Sequence, residues 1–164
     1  MPPPPDLAPA ADENLAVHAS WATVSLPGAC VRHDPDLVMI DSGLPCDTFN
    51  FVRRARLDDA SAESRARQAL EFFRVSGHPF SWWLGPGYTP ARLPVILAGI
   101  GLLEAESEVA MGLDLRSLPN DAPAGPSHAI LQAAEAGVGV YERLGFRGFG
   151  TVTEWKPPNR AGMV

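Results

Sequence analysis

Ala129-Ile-Leu-Gln-Ala-Ala-Glu-Ala-Gly-Val-Gly-Val-Tyr-Glu-Arg-Leu-Gly-Phe146 is the stretch that decides how this chain is read. Ala129–Ala133 has the length and apolar content of a short covered strand. Gly137–Leu144 is spaced as a short helix carrying Tyr141, and Gly145 stops it with Phe146 as the apolar contact that follows such a stop. Gly148–Trp155 then alternates as a final strand. The order is strand, helix, strand, within fewer than thirty residues.

Working outward, the preceding segment 116–127 carries Pro119, Pro123 and Pro126 with Asn120, Asp121 and Gly125. No helix or central strand of ordinary length tolerates that density of proline, so this is read as a linker. Before it, Val109, Met111, Leu113 and Leu115 alternate with Glu108, Ala110, Gly112 and Asp114, as in a half-buried strand. Thr89-Pro90 begins a helix weakened inside by Pro94, Gly99 and Gly101. Gly85-Pro-Gly87 is a sharp turn. His78–Leu84 is a strand in which Trp82 and Trp83 point to opposite faces. Caps at Asp58–Ser61 open a helix whose stripe is Ala62, Ala66, Ala69, Leu70 and Phe73, closed by Gly77. Thr48–Leu57 is a strand, and Leu37–Ile40 a strand covered on both faces. Asp12 caps a first helix running to about Val24. The expected divisions are a disordered tail at 1–11, a first half at 12–115, the linker at 116–127, a second block at 128–156 and a tail at 157–164.

Composition excludes several functions. The chain has 164 residues, 46% hydrophobic and 20% charged, with a formal net charge of −6; that is enough for one domain with a real core. At a formal net charge of −6 no extended Lys/Arg stretch is present to displace counterions, so nucleic acid is not an expected partner. The longest apolar run, Leu93–Leu103, holds a proline and two glycines and is too short to cross a bilayer. Residues 1–13 lack the basic start and apolar run of a signal peptide, and Cys30 and Cys46 form no Cys-x-x-Cys pair; the expectation is a cytoplasmic protein with reduced thiols. His18, His33, His78 and His128 are scattered without ligand spacing, so no metal site is expected.

The run Val140-Tyr141-Glu142-Arg143-Leu144-Gly145-Phe146 resembles the closing helix of the GNAT superfamily of acyl-CoA-dependent N-acetyltransferases, which commonly reads Tyr-x-Arg-Leu-Gly-Phe. The resemblance is moderately specific at 129–155 and looser at 47–115. It implies an α+β (α/β) fold with a mixed, largely antiparallel sheet flanked by helices. It implies acetyl-CoA as cosubstrate and a small-molecule or protein amine as acceptor. Tyr141 would be the acid that protonates the departing thiolate, since a phenol stays protonated at neutral pH. The backbone around Leu131, Gln132 and Ala133, with Phe146, would line the pantetheine arm.

One part of the family pattern is missing from the sequence. The Gln/Arg-x-x-Gly-x-Gly/Ala loop that cradles pyrophosphate on backbone N–H groups has no match. Ala134-Glu-Ala-Gly137-Val-Gly139 has alanine and glutamate where a cation belongs, and proline removes a donor from Gly85-Pro-Gly87. Twelve linker residues cannot hold the central strand and helix the family places there, which need roughly 17 residues before loops. The expectation is therefore a GNAT-like sheet without its central cofactor-binding strand–helix unit, with acetyl transfer impaired. The alternative is a non-catalytic remnant acting as a binding or homodimerisation module through unpaired sheet edges.

Overall fold

The structure is a computed structural model and describes residues 7–117, 125 and 127–158. Seven strands form one sheet in the order β1-β2-β3-β4-β7-β5-β6. Their ranges are Cys30–His33, Val38–Asp41, Phe51–Arg53, Ser81–Leu84, Leu103–Asp114, His128–Ala133 and Arg147–Lys156, numbered β1 to β7 along the chain. The helices are α1 (Ala8–Thr23), α2 (Ala62–Ser76), α3 (Leu93–Gly99) and α4 (Glu135–Arg143). Every neighbouring strand pair is antiparallel except β3 with β4, which run parallel and are joined through α2. The mixed, largely antiparallel sheet flanked by helices is thus the fold.

The sheet sorts its side chains by alternation. One face carries Met39, Val52, Trp82, Leu84 and Trp155, packed against Ala62, Ala66, Ala69 and Phe73 of α2 and Leu93 and Leu97 of α3. Phe73 and Phe80 stack there with centroids 4.3 Å apart. Val38 and Ile40 on the opposite face meet Ala16 of α1. β2 is buried at all four positions because helices cover both of its sides, as its unbroken apolar run requires. Trp82 is fully buried while Trp83 is only half-buried on the other face.

Several expectations need correction. α1 starts at Ala8, so residues 8–11 are helix rather than tail, with a proline in the first turn where its missing N–H is harmless. Asp12 is then inside the helix, buried, and not a cap. β3 ends at Arg53 because Arg54 takes the left-handed conformation (φ 54°), so the expected strand to Leu57 is broken. Pro94 lies in the first turn of α3, where it costs the helix little. Gly137 and Gly139 fall inside α4, which runs from Glu135 rather than Gly137. Gly77 and Gly145 do close their helices with positive φ, 73° and 97°. Of the linker, 118–124 and 126 lie outside the described residues, as do 1–6 and 159–164 of the tails.

The expected gap takes a different form from a sheet broken at its middle. The seven strands are continuous, and the parallel unit β3–α2–β4 stands at the centre. The segment entering α2, Arg54–Ser61, has no glycine. β6, the strand leading into the Tyr141 helix, ends the sheet; among the described residues its strand partner is β5 alone.

Candidate functional site

Tyr141 lies on α4, half-buried, its ring edge-on to Phe146 at 5.9 Å between centroids. The helix end explains this contact. Gly145 turns the chain at positive φ, and Phe146 N–H donates to the Tyr141 carbonyl at 3.1 Å, folding Phe146 back beneath the ring. α4 rests on the face of β5 and β6 that includes Leu113, whose Cδ1 is 3.2 Å from where a Gly145 Cβ would stand. Leu113 pairs with Ala129 and Met111 with Leu131, so strand alternation puts Leu131 and Ala133 on the α4 side. Gln132, opposite Ala110, turns its side chain to the other face. Of the five residues singled out by resemblance, the structure brings Tyr141, Phe146, Leu131 and Ala133 to one side of β6 and separates the Gln132 side chain from them.

A second cluster stands where the parallel strands end. Arg53, Arg54 and Arg56 leave β3 beside the Gly85-Pro-Gly87 turn that leaves β4, and α1 presses two carboxylates onto them. Arg56 pairs with Asp12 at 2.9 Å and Arg54 with Glu13 at 3.3 Å. The turn is built around that contact. A Cβ on Gly85 would fall 1.6 Å from Asp12 Oδ1, one on Gly87 2.7 Å from Arg56 Nη1, and one on Gly150 2.4 Å from Pro86 Cβ. Burial pushes the Asp12 carboxyl up against the opposing pull of Arg56.

The guanidinium of Arg53 lies over the rings of Phe51 (4.9 Å) and Trp83 (5.3 Å). Burial brings its pKa down to about 10, opposed by the fields of Glu108, Asp12 and Glu154. Glu154 is almost fully buried and accepts from Ser81 Oγ at 2.7 Å, with Lys156 Nζ 3.2 Å away. Glu108 is held above the ordinary carboxylate range by burial first and by neighbouring Glu106 second. Of the acidic trio on β5, Glu104 and Glu106 are exposed and only Glu108 is half-buried.

An open cleft of about 410 Å³ lies at the other end of β4, floored by Phe73 and Phe80. Its polar groups are already engaged: His78 Nδ1 with Asp41 at 2.8 Å, and Lys156 with Asp47 at 3.0 Å. The sequence by itself does not show the surroundings of Asp12, Arg53 and Glu108. The Arg53-Arg54-Ala-Arg56 run was the available signal, but which carboxylates meet those arginines depends on helix α1, distant in sequence.

Among the described residues no helix is long and apolar enough to cross a membrane. No protein-family model and no curated protein matches the sequence. Among solved structures, the chain is similar to a GCN5-related N-acetyltransferase from Kribbella flavida. The match has a TM-score of 0.59 at 10% identity and covers 90% of this chain and 96% of that one. The fold of this chain is therefore the GNAT fold.

Proposed function

With that shared fold as premise, we propose that this chain belongs to acetyl-CoA chemistry as an N-acetyltransferase of the GNAT type, acting on an amine. The observation that carries the reading is the assembly on one side of β6: Tyr141 and Phe146 at the end of α4, above Leu131 and Ala133. In the proposed step the amine nitrogen attacks the thioester carbonyl, and the tetrahedral intermediate expels the thiolate. Tyr141 gives its phenolic proton to that sulfur and regains one from the amine through solvent. Leu131, Ala133 and Phe146 offer the apolar wall along which the pantetheine arm would lie, on the side of β6 that faces α4.

Calorimetric titration with acetyl-CoA tests binding, and a flat titration at millimolar cofactor counts against the proposal. Tyr141→Phe is expected to lower kcat by about 10²–10⁴-fold with little change in KM, the range for loss of a positioned proton donor. Unchanged kcat removes the role given to the tyrosine.

A second reading, a GNAT-fold binding module without turnover, is favoured by one arrangement. Asp58 and Asp59 precede α2, where the parallel unit would meet a phosphate, and Asp12 and Glu13 already hold Arg56 and Arg54. The two readings part on whether single-turnover acetyl transfer to any amine occurs.

A further inference from the structure

The cleft of about 410 Å³ beside the start of β4 has the size of a site for a small organic molecule. It lies far from Tyr141. Lys156 on its wall ends β7, the strand that Phe146 leads into, and the ten residues of that strand span about 30 Å. The acetyl transfer proposed above uses none of the residues lining this cleft.

Its floor is aromatic, and two acceptors on its wall are incomplete. The Phe73 and Phe80 rings stack within 8° of parallel, with Leu70 packed against the same core. Asp41, a buried carboxylate that can only accept, takes His78 Nδ1–H at 2.8 Å and the Gly43 N–H at 2.9 Å. With its proton on Nδ1, the neutral His78 ring presents Nε2 as an acceptor, and no described residue donates to it. Asp47 meets Lys156 through Oδ2, and no described residue donates to its Oδ1.

Charge selects what those acceptors would hold. Arg74, exposed at the rim, is matched by Glu71. Lys156 faces two carboxylates, Asp47 at 3.0 Å and Glu154 at 3.2 Å, and a third, Asp41, stands behind His78. Three carboxylates against one ammonium leave the cleft negative when His78 is neutral. An anion entering it would be repelled, and a cation drawn in.

We propose that this cleft binds a flat aromatic cation carrying N–H donors, such as an amidine or guanidine joined to a ring. The ring lies over the Phe73–Phe80 floor, and the cationic N–H groups donate to His78 Nε2 and Asp47 Oδ1. Asp41 is a positioning residue: by accepting from Nδ1 it fixes the His78 tautomer and keeps the Nε2 lone pair available. Lys156 competes with the ligand for Asp47, so it limits the affinity. The site stands apart from Tyr141 and is independent of turnover and of acetyl-CoA.

Benzamidine, benzamide and benzoate share one shape and differ in charge, and NMR titration of the full chain with each tests the site. Benzamidine is expected to saturate with a dissociation constant of about 1 mM, shifting the amides of Gly77, His78 and Phe80. Benzamide is expected to bind at least about tenfold more weakly, and benzoate more weakly still. His78→Phe keeps a ring but removes the acceptor, and is expected to weaken benzamidine about tenfold. Lys156→Gln removes the competing cation and is expected to tighten benzamidine, a gain that misfolding does not produce. Should His78→Phe fail to fold, as circular dichroism reports, Lys156→Gln carries the test. Equal affinities for the three probes, shifts that map away from residues 77–80, no saturation by about 10 mM, or weaker binding to Lys156→Gln each overturns the proposal.

Discussion

Asp12 and Gly85 occupy neighbouring space so closely that each constrains the identity of the other. A methyl group on Gly85 would overlap the Asp12 carboxylate, and that carboxylate is buried and paired with Arg56, with little freedom to retreat. Gly85→Ala is expected to lower stability by about 1–3 kcal/mol, the cost of overpacking. In an Asp12→Ala background the same change is expected to cost much less. A double-mutant cycle by urea unfolding measures the coupling, and additive effects would refute the contact. Sequence alone marks Gly85 as a turn glycine; the carboxylate that makes it obligatory comes from a helix more than seventy residues away. The same holds for Gly150, whose missing side chain leaves room for Pro86.

On the scale of elements, α2 is the best-determined part of the molecule. Its stripe Ala62, Ala66, Ala69 and Phe73 is buried as the spacing requires, and Gly77 ends it. What the pattern leaves out is the exposed-looking Arg65, which pairs with Asp36 at 2.9 Å and also with Asp34, tying the helix to the β1–β2 turn. The wide, apolar face against the sheet dominates the helix's contribution. Phe73→Ala, which removes a ring stacked on Phe80, is expected to cost about 3–5 kcal/mol. Chemical denaturation checks this, and a loss under 1 kcal/mol would mean the α2–sheet contact is not a principal core. By contrast α4 buries none of its residues fully. Its helix stop is legible at Gly145, but its seat on β5 and β6 is not, because a nine-residue helix has too little apolar surface to declare a face.

For the whole molecule, acid and base responses pull in opposite directions. Asp36 is held below its ordinary value by Arg65, so the stability it contributes is present above about pH 3.8 and is lost as pH falls through its folded pKa. Glu108 is raised, so its contribution is fully present below its ordinary value of 4.5 and is lost as pH rises through the folded pKa. Glu108→Gln is therefore expected to stabilise the protein at pH 7 relative to wild type, with the gain shrinking towards pH 4. Thermal unfolding across that range reads the difference, and parallel curves would show that burial does not penalise this carboxylate.

Local order was within reach of the residues themselves. The stripe of α2, the glycine stops at 77 and 145 and the strand–helix–strand order of 128–156 all follow from torsional preference and the periodic placement of apolar groups, which neighbours along the chain decide; the half-buried alternation expected at 109–113 does not hold, because Ala110 and Gly112 are buried along with Met111. Tertiary structure alone decided the rest: that β3 and β4 run parallel at the centre, that β7 inserts between β4 and β5, that β6 is left at the edge, and that α1 brings Asp12 to Arg56. Such pairings join segments far apart in sequence. They are chosen by which surfaces fit together once desolvated, and no short-range pattern contains that information.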